Sequence, residues 1–268
     1  MNKMNDVKIL YQKYQDLFDF SENTIEKSHN FLVGEKAATL EKQVTLFHFA
    51  RAVYLLDAIY RLCAQGFATE AMVILRSLLN LYINIKWLTS GDSKKSFERF
   101  AEFEVVFKKL AIEAVIKYGT IKDEIKNDNL NIHDKEFDRV MKKYNLGKKR
   151  DLFCWSGKSL FRMATDVNLE KEYSIIYSKL SSMEHTGPES VKNYLEHSEE
   201  RGFTIKAGPR DENIDLVLVT ALEYYFKVQE ITRKIFGLDC SALENDVQIF
   251  LELQNKYWVN NKKAKKVL

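Results

Sequence analysis

Two long helical patterns, Thr39 to Ala64 and Phe67 to Ser90, follow one another almost without a break, and this constrains the fold more than any other feature. In the first, Leu40, Val44, Phe47, Leu55, Ile59 and Leu62 recur at three- and four-residue spacing, the period of one helix face. Gly66 ends it. The second opens with Thr69 as the expected N-cap and Glu70 in its first turn, and runs through AMVILRSLLNLYINIKWL to Gly91. A connection this short makes the two helices antiparallel neighbours. Both are apolar nearly all round, which predicts a hairpin at the centre of a bundle.

The rest of the chain reads in the same way. Only 2 prolines and 10 glycines occur in 268 residues, which disfavours a turn-rich β architecture and favours long helices. Residues 5 to 32 predict one or two amphipathic helices, with Asn23 and Glu26 forming a capping-box pattern at a break. Asp92 or Ser93 is positioned to cap a third long helix through FERFAEFEVVFKKLAIEAVIKYG. The polar stretch after it predicts short helices joined by loops. A turn and short helix follow from Cys154 to Asp166, then a helix over 169–185 that stops at Gly187-Pro188. Gly202, Gly208 and Pro209 predict a small hairpin or extended loop near 200–210. Two further helices run from Asn213 to Phe236 and from Ser241 to Trp258. The expectation is an all-α antiparallel helical bundle forming one domain over 1–260, followed by a basic flexible tail over 261–268.

Composition excludes several function classes. A net charge of +3 is too small for whole-molecule attraction to nucleic acid, although a local patch could bind. Cys63, Cys154 and Cys240 are far apart and form no C-x-x-C pair, so no zinc knuckle or dithiol redox site is signalled. His29, His48, His133 and His197 have no partners at metal-ligand spacing, so neither metal nor cofactor is expected. The N-terminus lacks the apolar core of a signal peptide. The most apolar stretches are interrupted by Arg76, Lys86, Asp215 and Glu223, so no membrane span is expected. The predicted setting is a reducing cytoplasm.

The candidate chemistry lies in KEYSIIYSKLSSMEHTGP. Tyr177, Ser181 and His185 stand at i, i+4 and i+8, with Tyr173 one step before, so a straight helix would align them along one stripe. A histidine at a helix end, backed by hydroxyls, suits proton transfer or phosphate contact. The same row also suits a buried hydrogen-bond network. Arg76 lies inside an apolar helix, where a charge costs several kcal/mol unless paired or hydrated. It either pairs with Asp57 across the hairpin or faces a cleft as a fork for an anion. Asn80 is one turn further on. Gly157-Lys158-Ser159 lacks the first glycine of a phosphate loop, because Leu152 occupies that position and no strand precedes it. Ser156-Gly157 therefore predicts a turn that caps the next helix over Trp155, leaving Lys158 as a binding candidate. Lys142, Lys143, Lys148, Lys149 and Arg150 form a basic run near Phe153 and Trp155, read as a solvated loop rather than a nucleic-acid contact.

Arg76-Ser77-Leu78-Leu79, Trp155-Ser156-Gly157-Lys158-Ser159 and Tyr177-x3-Ser181-x3-His185, followed by Pro188, occur in this order. Together they resemble a widespread bacterial family known only as a domain of unknown function, over roughly residues 40 to 240. Where that family commonly has an acid one turn after its arginine, this chain has Asn80. Lys179-x5-His185 also resembles the R-x4-6-H motif of the HEPN ribonucleases, helical toxin and phage-defence proteins that cleave RNA without metal across a dimer. Here lysine stands where that group has arginine. The resemblance implies His185 as the proton-transfer group, Arg76 and Lys179 as charge stabilisers, and Tyr173, Tyr177, Ser181, Lys158 and Asn80 as binding or orienting groups. It also implies RNA and a cognate antitoxin or defence protein as partners. Apolar residues on more than one face of several helices predict a homodimer. The alternative is a non-catalytic binding or interaction module in which the same Arg, Tyr, Ser and His form a structural network.

Overall fold

The computed structural model describes residues 3–119, 128–147, 154–184, 188–200, 202–206 and 208–259. Within them the chain is helical almost throughout. The sequence expectation of an all-α bundle with one small hairpin is met. His185, Lys148, Lys149, Arg150, Phe153 and the tail over 261–268 lie outside the described residues.

The centre forms as the apolar pattern requires. Helix α3 (Leu40–Ala64) starts at Thr39, whose side chain accepts from the Lys42 amide. It ends at Gly66, whose φ of +78° only glycine adopts without strain. A Cβ there would sit 2.6 Å from the Pro209 Cβ, so the turn is also the seat of a later segment. The Arg210 amide donates to the Gly66 carbonyl at 3.0 Å. Helix α4 (Ala68–Leu88) then returns beside α3. Thr69 does not cap it. The N-cap is Phe67, and Thr69 is buried because the glycine turn lets the helix begin two residues earlier than its polar signal suggests.

The long C-terminal helix, here α12 (Ile214–Phe236), packs on both hairpin helices, so the core is three helices rather than two. Leu56, Ile59, Leu78, Leu79, Ile83, Leu222 and Tyr225 meet there without solvent exposure. By length and composition α4 could cross a membrane, but most of its apolar residues are buried in the helical core, where it packs on α3 and α12.

The N-terminal segment breaks at Tyr14 rather than at Asn23, giving α1 (Lys3–Lys13) and α2 (Gln15–Asn30). Leu17, Phe18, Phe20, Ser21, Thr24, Ile25 and Ser28 make one continuous buried face on α2, which carries the helix through the supposed capping box. Asp92 caps α5 (Ser93–Glu102) by accepting from the Lys95 amide. The expected third long helix is divided at Phe103, after which α6 (Glu104–Lys117) begins. Phe103 is fully buried in a separate small cluster with Val106, Val140 and Leu146. The polar stretch beyond α6 holds a 16-residue helix, α7 (Asp128–Lys143), not only short pieces. Lys109 and Asp134 pair across α6 and α7, and Glu102 accepts from Arg139 and Lys143 on α7.

Ser159, not Ser156, caps α8 (Leu160–Asp166) through the Arg162 amide. Next come a short α9 (Glu170–Glu172), a π-helical turn over Tyr173–Tyr177, and α10 (Ser178–Glu184). After α11 (Val191–Tyr194), β1 (Leu195–Ser198) and β2 (Gly202–Ile205) form the antiparallel hairpin, with Leu195 opposite Ile205 and His197 opposite Phe203. Helix α13 (Glu244–Gln254) and a π turn over Asn255–Val259 close against α12.

Candidate functional site

Arg76 projects from α4 toward the π turn. Its Nη2 donates to the Tyr177 hydroxyl, and its guanidinium carbon lies 4.5 Å from the Tyr177 ring centroid. Tyr173 stacks on the other ring at 4.3 Å between centroids and 13° between planes. Phe161 of α8 meets Tyr173 edge-on at 5.5 Å. The four side chains form a ladder of one guanidinium and three rings, a geometry in which the cation is attracted by the ring face. Burial pushes the Tyr173 phenol upward, Tyr177 adds to this and Arg76 opposes it.

Of the two readings of Arg76, the pair with Asp57 across the hairpin is not formed. Asp57 instead accepts from Arg61 Nε on its own helix at 2.9 and 3.0 Å, because residues four apart on α3 meet more readily than partners across the hairpin. Arg76 is therefore tied to the helix over 170–184 through Tyr177.

The other predicted residues are distributed around this ladder. Asn80 lies one turn along α4 with its Oδ1 buried and without a hydrogen-bond partner among the described residues. A buried orphan acceptor on a polar face calls for water or a ligand group. Ser181 is half-buried and Lys179 is exposed. A π turn over Tyr173–Tyr177 separates the two tyrosines from Ser181, which lies on α10. Lys158 belongs elsewhere: its Nζ bonds Asp166 at 2.5 Å and lies 5.8 Å from the Trp87 ring. Asp166 also accepts from Trp87 Nε1 at 2.9 Å. Lys158 and then Trp87 hold the Asp166 carboxyl below the usual range.

The Trp155-Ser156-Gly157 motif has a structural role. Arg99 Nε donates to the Trp155 carbonyl at 2.6 Å, and its guanidinium lies over the Tyr144 ring at 4.8 Å. A Cβ at Gly157 would stand 2.9 Å from Arg99 Nη2, at a φ of +72°. Glycine is needed there for both reasons. Phe161, Trp87 and Asp166 were not singled out from the sequence, since aromatic and acidic residues at helix ends carry no distinguishing spacing.

No curated protein and no solved structure matches the chain. Residues 42–203 match the profile described as Family of unknown function (DUF5677), a span that takes in nearly all of α3, then α4, the Trp155 loop and the Tyr173–Ser181 row, but ends before α12. That match covers more than half of the chain, and the chain belongs to this family of unknown function.

Proposed function

We propose that the chain is a phosphate-recognising binding protein of a bacterial toxin, phage-defence or regulatory system. Its recognition face is the seam between α4 and the helix over 170–184, and its ligand is the RNA backbone. One observation carries the reading: the Arg76 guanidinium is held against Tyr177 on a π turn, beside the orphan Asn80 Oδ1. A guanidinium immobilised on a ring loses little freedom on meeting an anion, and π turns inside α-helices cluster at functional sites. Lys179 and Ser181 follow on α10, and His185 comes next in the sequence. The proposed setting is the cytoplasm. Assembly as a homodimer is supported by the exposed Phe107 on α6 and Tyr118 just after it, which are 45% and 75% accessible. A cognate antitoxin or defence protein is the proposed hetero-partner.

A second reading adds catalysis, favoured by the Lys179-x5-His185 spacing. In a metal-independent cleavage, His185 would move protons between the 2′-hydroxyl and the leaving 5′-oxygen, while Arg76 and Lys179 stabilise the added phosphate charge. Fluorescence anisotropy with single-stranded RNA, run with chelator present, tests both. Arg76→Ala is expected to weaken binding about tenfold or more, the loss of one charge-assisted contact. His185→Ala is expected to leave binding intact and, if cleavage occurs, to slow it by about 10²–10⁴. Wild-type protein that neither binds nor cuts RNA would sink the reading. Arg76→Ala and His185→Ala would then do no more than lower the melting temperature, and the row would be a structural network.

A further inference from the structure

A second group of ionisable side chains lies on another face of α4, where that helix meets α12. The Tyr82 and Tyr224 rings stack at 5.7 Å with 22° between planes. Two ammonium groups converge on them. Lys86 Nζ is 5.7 Å from the Tyr82 centroid, and Lys227 Nζ is 5.6 Å from Tyr82 and 5.7 Å from Tyr224. Their circumstances differ. Lys227 has its own carboxylate, Glu223, at 2.6 Å on the same helix. Lys86 is half-buried and makes no hydrogen bond or ion pair among the described residues, only the contact with the Tyr82 face. Glu172 from α9 and Glu230 from α12 act on it at longer range.

We propose that Lys86 is a nucleophilic amine, a site of acylation by small acyl-phosphate donors. A lysine without a carboxylate partner, beside a second ammonium and partly removed from water, gains by shedding its proton. Burial is the largest influence lowering its proton affinity, Lys227 is the next, and Glu172 and Glu230 oppose them. The dipole at the C-terminus of α4 also favours the charged form. In the reaction the ammonium first gives its proton to water. The free amine then attacks the acyl carbonyl, a C–N bond forms, the bond from that carbon to the phosphate oxygen breaks, and inorganic phosphate leaves with the electron pair. The amine's remaining extra proton passes to solvent. The product is a neutral amide over Tyr82, which removes the repulsion with Lys227 and tightens the contact between α4 and α12.

Trace labelling with acetyl phosphate at pH 7.5, read by peptide mass spectrometry, tests the assignment. The exposed Lys94 and Lys171 serve as internal standards in the same folded protein. Lys86 is expected to acquire label several-fold faster than either. Lys227→Met should remove much of that advantage, since it deletes the neighbouring charge and releases Glu223, whereas Lys227→Arg should preserve it. Circular dichroism melts of both variants establish that the comparison is made between folded proteins. Labelling of Lys86 at or below the rate of Lys94 and Lys171 overturns the proposal, and so does an equal advantage in the Met and Arg variants.

Discussion

The chain closes two cores by different means. Around α3, α4 and α12 the apolar pattern is dense, and large side chains such as Leu56, Leu78, Ile83 and Tyr225 are fully enclosed. Beside α6 and α7 the buried cluster among the described residues is smaller, made of Phe103, Val106, Val140 and Leu146. There, charge completes the association: Glu102 accepts from Arg139 at 2.9 Å, Lys143 at 2.7 Å and Tyr144 at 2.6 Å. Trp155 packs against both clusters and is the bridge between them. Where apolar surface is plentiful, burial selects partners by area. Where it is scarce, a few ion pairs decide which helices meet, and they contribute much less per contact.

The largest expected effect separates the two cores directly. Leu78→Ala should cost about 2–5 kcal/mol of whole-molecule stability, seen in the denaturant midpoint, because it opens a cavity in the middle of the three-helix core. Phe103→Ala should instead speed amide exchange in α6 and α7 while leaving α3 and α12 protected. Loss of protection in α3 in the Phe103 variant would show one cooperative unit and end the comparison.

The next effect is in acid. Burial pushes the His48 imidazole down to about 4, against its bond to the Val44 carbonyl and with help from Arg51. The neutral ring donates from Nδ1 to that carbonyl at 2.8 Å. The unfolded chain takes up this proton near pH 6.5, which the fold resists until about 4. This contribution is thus complete above pH 6.5 and is lost as pH falls toward 4. It amounts to at most roughly 3.5 kcal/mol, from about 1.4 kcal/mol per unit. His48→Gln should flatten the stability profile across that interval. An unchanged slope would place the acid sensitivity elsewhere.

The smallest effect belongs to the second core. Burial works to raise the Glu102 carboxyl, but Lys143, Tyr144 and Arg139 together bring it down to about 2 from its usual 4.5. Its contribution is present above pH 4.5 and disappears as pH falls through 2, an interval that begins where the His48 interval ends. Glu102→Gln should cost only about 1 kcal/mol at neutral pH, because the site is partly solvated. Exchange in α7 should report it more sharply than the global melt. A larger loss in α3 than in α7 would reverse the assignment.

Local signals were legible where a residue type and its backbone geometry coincide. Thr39 and Asp92 cap their helices, Gly66 ends α3 in a left-handed conformation, and 195–205 forms the expected small hairpin. Thr69 and Asn23 misled, because cap-like residues also occur inside helices when a buried face continues through them. Arg76 and Tyr177 were each identifiable from the sequence, but their contact was not. The π turn that sets it has the same side-chain composition as an α-helix.

The sequence by itself determined the helical class, the α3–α4 hairpin, and the residue types available for chemistry, since period, caps and glycine positions act within a few residues. Only the tertiary structure decided that α12 completes the core, that Asp57 turns to Arg61 while Arg76 turns to Tyr177, and that Lys86 meets Lys227 over Tyr82. Those choices join residues far apart in the chain. Burial and charge select among such partners only once the helices have packed.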